Sequence, residues 1–96
     1  MEFYCSISEQ HQLTERQYTD KTGQSKIFAS MGFVLNAGID TFYAELTGDR
    51  ARSCGTLDQS RLYKASVSSR ARCYQNEQGR NIWVNDFYID KLQAIG

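Results

Sequence analysis

The chain has 96 residues, no proline, a formal net charge of zero and a charged fraction of 23%. That length bounds it to one domain with one modest core, spanning 1–96. The zero balance argues against a protein that coats a polyanion by charge alone. No apolar run approaches the ~18 residues of a membrane helix, and the N-terminus lacks a signal-peptide pattern, so a soluble, cytoplasmic protein is expected.

Glu2 to Ser8 alternates Phe3, Cys5 and Ile7 with Tyr4, Ser6 and Ser8, the period of a half-buried first strand. The polar residues that follow read either as an extension of this strand or as an irregular return. Thr19-Asp20-Lys21-Thr22-Gly23 is a turn signal. A second strand, Lys26 to Asn36, puts Ile27, Ala29, Met31, Phe33 and Leu35 on one face, with Gly32 opposite them as a candidate bulge or bend. After the short reversal Asn36-Ala37-Gly38, a third strand runs from Ile39 to Thr47, with Phe42, Ala44 and Leu46 inward and Thr41, Tyr43, Glu45 and Thr47 outward.

Period two is lost from Asp49 to Ser60. Asp49 is the candidate cap of a short helix that Gly55 would end. A fourth strand, Leu62 to Tyr74, puts Tyr63, Ala65, Val67, Ala71 and Cys73 inward and Lys64, Ser66, Ser68, Arg70, Arg72 and Tyr74 outward. The turn Gln75 to Arg80 leads to a fifth extended run, Asn81 to Leu92, which carries the lone tryptophan, Trp83. Five short strands with a helix between the third and fourth are the layout of an OB-fold Greek-key barrel, an all-β architecture whose closure hides strand edges.

Cys5, Cys54 and Cys73 are odd in number and widely spaced, and His11 is the only histidine, so no usual zinc set can be assembled. Reduced thiols are expected, with Cys5 and Cys73 as small core residues. The sequence contains no Walker-type loop, G-x-G-x-x-G or H-E-x-x-H motif, and Asp86 and Asp90 read as solubilising outer-face acids. A non-enzymatic protein without cofactor, metal or small-molecule substrate is expected.

The zero total hides a basic middle. From Asp49 to Arg80, Arg50, Arg52, Arg61, Lys64, Arg70, Arg72 and Arg80 face only Asp49, Asp58 and Glu77. Basic residues interleaved with aromatics suit single-stranded nucleic acid, whose phosphates need neutralising and whose bases stack on flat side chains. Arg70, Arg72 and Tyr74 share the outward face of the fourth strand. Arg80 and Trp83 are near enough in sequence to join them, Trp83 also having a reading as a core residue. Tyr43 projects outward on the third strand.

Arg70 to Gly79, an arginine and an aromatic before a polar turn ending in glycine, resembles a strand-and-turn segment of bacterial single-stranded DNA-binding proteins. Trp83 to Leu92 looks like that family's last strand, Arg16-Gln17-Tyr18-Thr19 like its region before the first turn, Ala29 to Asn36 like its second strand and Phe42 to Gly48 like its third. The proportions are closer to its small primosomal OB relatives. The resemblance implies an OB fold, single-stranded DNA (or RNA) as partner, homo-oligomerisation, and a bacterial replication, recombination or mobile-element setting. It puts Tyr74 at a base-stacking position and Arg72 at a backbone-contacting one. Thr41 stands where many members carry a stacking tryptophan, with Tyr43 the candidate substitute, and Asn36 to Gly38 is far shorter than the family's basic loop. The nucleic-acid-binding set is therefore Lys64, Arg70, Arg72, Tyr74 and Arg80, with Trp83, Tyr43 and Lys21 auxiliary. The rival expectation is an OB-type protein-interaction module, favoured if Arg70, Arg72 and Arg80 prove to be paired with Glu45, Glu77 or Asp86.

Overall fold

In the computed structural model, which describes residues 1–95, the alternating segments form an all-β structure with one short helix. The strands are β1 (Glu2–Gln10), β2 (Thr14–Thr19), β3 (Ser25–Ala37), β4 (Asp40–Thr47), β5 (Leu62–Gln75) and β6 (Asn81–Ile95), with α1 (Asp49–Ser53) between β4 and β5. They make one six-stranded sheet in the order β1-β5-β6-β4-β3-β2, and β1 also pairs with β3. Its hydrogen bonding therefore runs as a ring, β1–β5–β6–β4–β3–β1, antiparallel throughout except for the parallel contact of β4 with β6. No described helix is long and apolar enough to cross a membrane.

Six strands replace the expected five. The additional strand is β2, which pairs with β3 from Thr14↔Ser30 to Thr19↔Ser25. Every β2 residue is exposed. It is held by backbone bonds to a single neighbour, so its sequence shows no apolar alternation to read.

The core is the inward series of each ring strand: Cys5 and Ile7, Ala29 to Leu35, Ala44 and Leu46, Tyr63 to Val67, and Ile89. Phe33, Leu35 and Val67 are the largest side chains fully enclosed. Ala51 of α1 joins this core and is fully buried. The connector after α1 is latched by Gln10, whose amide donates to the Gly55 carbonyl at 2.6 Å and accepts from the Leu57 N–H at 2.8 Å.

Two local expectations are corrected. Gly48, at φ 68°, occupies the N-cap of α1, and no side chain caps it; Asp49 lies inside the first turn and accepts from Arg52 Nη1 at 2.9 Å. Gly32 is not a bulge, because β3 and β4 stay in register through Gly32↔Glu45. A Cβ there would overlap the Tyr43 phenol, its Cε2 only 2.9 Å away, so glycine leaves room for an aromatic ring laid across the strand. The register shift between β1 and β3 lies instead between Ile7 and Glu9.

Ala71 and Cys73 are exposed, although they continue the inward series of β5. So is Ile27 at the start of β3. In both places the strand runs past the layer it packs against and only a paired hairpin continues. The radius of gyration, 15.5 Å, reflects this, being well above the ~12.5 Å of a compact chain of this length.

Candidate nucleic-acid interface

Two hairpin ribbons leave the body. The longer is formed by the distal parts of β5 and β6, in register from Ser69↔Phe87 to Gln75↔Asn81. Asn76 builds its turn: its Oδ1 accepts from the N–H groups of Gln78 and Arg80 at 2.9 and 3.0 Å, and its own N–H donates to the Arg80 carbonyl at 3.0 Å. Gly79 takes the left-handed conformation, φ 75°, that closes the turn.

Cross-strand partners in an antiparallel pair share a face. Arg70, Arg72 and Tyr74 therefore lie with Asp86, Val84 and Ile82, and Ser68 lies with Tyr88. The Arg70 guanidinium sits over the Tyr88 ring, 5.6 Å from its centroid, and Arg72 lies over Tyr74 at 5.9 Å. Arg72 Nε donates to Asp86 Oδ2 at 2.6 Å, and this hydrogen bond, with the Asp86 charge, pushes the Arg72 pKa further up. Arg70 and Arg80 have no ion pair among the described residues. One of the three arginines is thus neutralised and the other two are not.

Trp83 does not join this face. It pairs with Cys73, which places it on the other side of the ribbon beside Ala71 and Asn85. At 70% exposure it is not a core residue either. The step from Arg80 to Trp83 is an odd number of residues along a strand from Ile82's face, and side-chain parity, not sequence distance, decides which face a residue serves.

The second ribbon is β2 with the start of β3. Its outer face carries Arg16 opposite Phe28 and Tyr18 opposite Lys26. Asp20 organises its turn by accepting from the Thr22 hydroxyl (2.6 Å) and from the N–H groups of Thr22 and Gln24. Chiefly the Thr22 hydroxyl, and with it the Gln24 N–H, Lys26 and the Thr22 N–H, hold the Asp20 carboxyl below its usual range, against an opposing effect of desolvation second in size only to that of the Thr22 hydroxyl. Lys26 Nζ is 3.2 Å from Asp20 Oδ2. Lys21 lies at the exposed tip.

A groove of about 530 Å³ lies between the bases of the two ribbons, lined by Phe28 of the shorter one, by Ser68, Arg70 and Tyr88 of the longer one, and by Thr47 and the acids Asp49 and Asp90. Arg50 of α1 reaches its edge, where its guanidinium donates to the Asp90 carbonyl. The adjoining face of the sheet carries Tyr43 and Glu45, the latter in register with Tyr88 across the parallel β4–β6 pair. The Tyr43 ring also lies 5.5 Å from that of His11. Thr41 donates to Asn36 Oδ1 at 3.2 Å and offers no flat surface.

Of the residues expected from sequence, Arg70, Arg72 and Tyr74 are thus brought together, with Arg80 at the same ribbon's turn and Tyr43 on the neighbouring sheet. Lys64 is remote, roughly 20 Å along β5 from Arg70, beside Glu2 at 3.5 Å. Lys21 is on the other ribbon. Arg16, Tyr18, Phe28, Arg50 and Tyr88 also stand on the two ribbons or the groove between them and are not among the residues expected from sequence. The alternation of Arg16 with Tyr18 was the available signal; Phe28 and Tyr88 become visible only when the strands are paired. Among the described residues no cluster of His, Cys, Asp and Glu is arranged to hold a metal ion. The chain matches no known family model and no curated protein.

Proposed function

We propose that this protein binds single-stranded DNA, without catalysing a reaction, in the groove between its two ribbons. The observation that carries the reading is the shared groove: an unpaired arginine stacked on a tyrosine (Arg70 on Tyr88) faces an exposed phenylalanine (Phe28) across a cleft. Such a cleft offers a cation to the phosphate backbone and flat walls to bases, and each stacked base contributes ~1–3 kcal/mol. Tyr74 and Arg72 extend the surface along one ribbon, Arg16 and Tyr18 along the other.

The ring of pairings, its single parallel contact and the helix between β4 and β5 support reading the fold as an OB barrel, with β2 an addition to the edge of β3. Self-association and a bacterial replication, recombination or mobile-element role belong to the same proposal and rest on the sequence resemblance alone. The Arg72–Asp86 pair favours the second reading, an OB-type module for protein contacts, because it removes one cation from the face.

Titration of labelled oligo-dT separates the two. Saturable binding is expected, with log K falling against log salt by about 0.7 per phosphate contact, and with Arg70→Glu abolishing it at low salt. Absence of saturable binding at low salt, with the protein folded, overturns the DNA reading.

A further inference from the structure

The longer ribbon has an unused backbone edge. β1 pairs with β5 only from Leu62 to Ser66, and the ladder ends where Val67 and Met1 exchange hydrogen bonds of 2.8 and 2.7 Å. Val67 therefore directs its N–H and C=O toward the β1 side. Backbone direction alternates along a strand, so Ser69, Ala71, Cys73 and Gln75 direct theirs the same way. The Asn76 N–H bond to Arg80 checks the parity from the other end, since even-numbered residues turn toward β6. Beyond Val67, β5 has no partner on that side among the described residues, and Ser69 to Gln75 are all exposed.

An exposed edge of this kind is a template for an added strand. The side chains beside it specify what is added. An incoming antiparallel strand would make its ladder bonds opposite Ser69, Ala71, Cys73 and Gln75, with those side chains on the Trp83 face. Its intervening side chains would lie opposite Arg70 and Arg72 in the closer, non-hydrogen-bonded positions, where Cα atoms are ~4.5 Å apart. Arg70 has no ion pair among the described residues, and Arg72 commits Nε to Asp86 while its guanidinium has further donors. The opposite face offers Ala71, Cys73 and the exposed Trp83.

A second copy fits this edge poorly. The self-pairing register that uses all of Ser69 to Gln75 is centred on Arg72, sets it against its own counterpart and places Arg70 opposite Tyr74, so it brings a carboxylate to neither arginine. Registers that separate the two leave edge groups unpaired. The arginines that guard the edge against self-pairing are also the groups an acidic strand would satisfy.

We propose that the free edge of β5, Ser69 to Gln75, is a docking site for an extended segment of a partner protein in which acidic and apolar residues alternate. The segment adds an antiparallel strand to the ribbon, its carboxylates on Arg70 and Arg72 and its apolar side chains on Ala71, Cys73 and Trp83. This site needs no nucleic acid and stands independently of the DNA reading.

The test uses the full chain and fluorescence-labelled peptides alternating valine with glutamate or valine with lysine. The glutamate peptide is expected to bind saturably, and the lysine peptide about tenfold more weakly or worse. Ala71→Pro removes an N–H that serves no bond within the chain, a change an edge strand tolerates, and is expected to abolish peptide binding. Should that variant fail to fold, the glutamate peptide N-methylated at its valines, which cannot donate to the ladder, supplies the same comparison with the unaltered protein. Equal binding of the two peptides, or full binding of the N-methylated peptide or by folded Ala71→Pro, overturns the proposal. So does self-association that excludes the peptide and is lost on Ala71→Pro, which would give the edge to a second copy.

Discussion

The two halves of β5 carry the same alternating pattern and meet opposite fates. From Tyr63 to Val67 the small and apolar residues are buried in the core; from Ser69 to Gln75 the pattern continues through Ala71 and Cys73 into solvent. The β5–β6 pairing shifts register between Ser66 and Val67, just before the division, but the alternation of β5 itself runs on. What changes is the company it keeps: β1 pairs with β5 only as far as Ser66, and among the described residues no other strand pairs with β5 on that side beyond it. Burial thus belongs to the overlap of layers, while alternation belongs to the strand alone, and the uncovered half is left available for binding.

The sharpest way to break this comparison is to charge both halves. Ala65→Asp, at a fully buried position, should cost several kcal/mol or prevent folding, because a carboxylate there has neither water nor a partner. Ala71→Asp, three periods of the alternation further along, should stay within about 0.5 kcal/mol in urea denaturation. Equal losses would mean that the ribbon is packed against something after all.

The faces of the ribbon offer the next contrast. Tyr74→Ala should weaken oligo-dT binding by ~1–3 kcal/mol with the unfolding midpoint unchanged, whereas Trp83→Ala, on the other face, should leave that affinity nearly unaltered. A larger loss at Trp83 than at Tyr74 would move the DNA surface to the Cys73 side.

Within the sheet, Gly32→Ala forces the Tyr43 ring off β3. That ring is half exposed and can swing outward, so the cost should be about 1 kcal/mol, the low end for overpacking. The Gly32→Ala/Tyr43→Ala double variant should be no less stable than Tyr43→Ala alone, a non-additivity that denaturation measures directly.

The smallest effect concerns the shorter ribbon. Asp20 has its pKa depressed in the folded protein, so its stabilising bonds are complete above the ordinary aspartate value of about 4 and fade as pH falls through the depressed folded value. Amide exchange at Thr22 and Gln24 should accelerate over that acid window relative to the core, and Asp20→Asn should largely remove this pH dependence. Exchange at Thr22 and Gln24 that tracks the core throughout would show that the turn does not open by itself.

Much of this was legible residue by residue. Phe3-Cys5-Ile7, Met31-Phe33-Leu35 and Tyr63-Ala65-Val67 announce half-buried strands, and Asn76 with Gly79 announces the ribbon's turn. The joint placement of Arg70, Arg72 and Tyr74 also follows from parity. The extra strand β2 is not legible because exposed polar residues, held by backbone bonds and a few surface polar contacts, carry no periodic signature. Closeness in sequence suggests that Trp83 joins Arg80, but strand parity puts it on the Cys73 face. Phe28 and Tyr88 face one groove although they lie far apart in the chain, and only the pairing of β2 with β3 and of β4 with β6 brings their ribbons together.

The sequence by itself determined the strands other than β2, which side of each is apolar and where the chain turns, because dihedral preference and side-chain alternation are local. Tertiary structure alone decided how far along each strand the core extends, that the hydrogen bonding returns through β1 and β3 into a ring, and that β5 outruns its neighbour. Those outcomes depend on the lengths and registers of strands meeting from distant parts of the chain. A strand cannot encode where its partner ends, and in this protein the edge and groove that matter for binding begin where the partner does end.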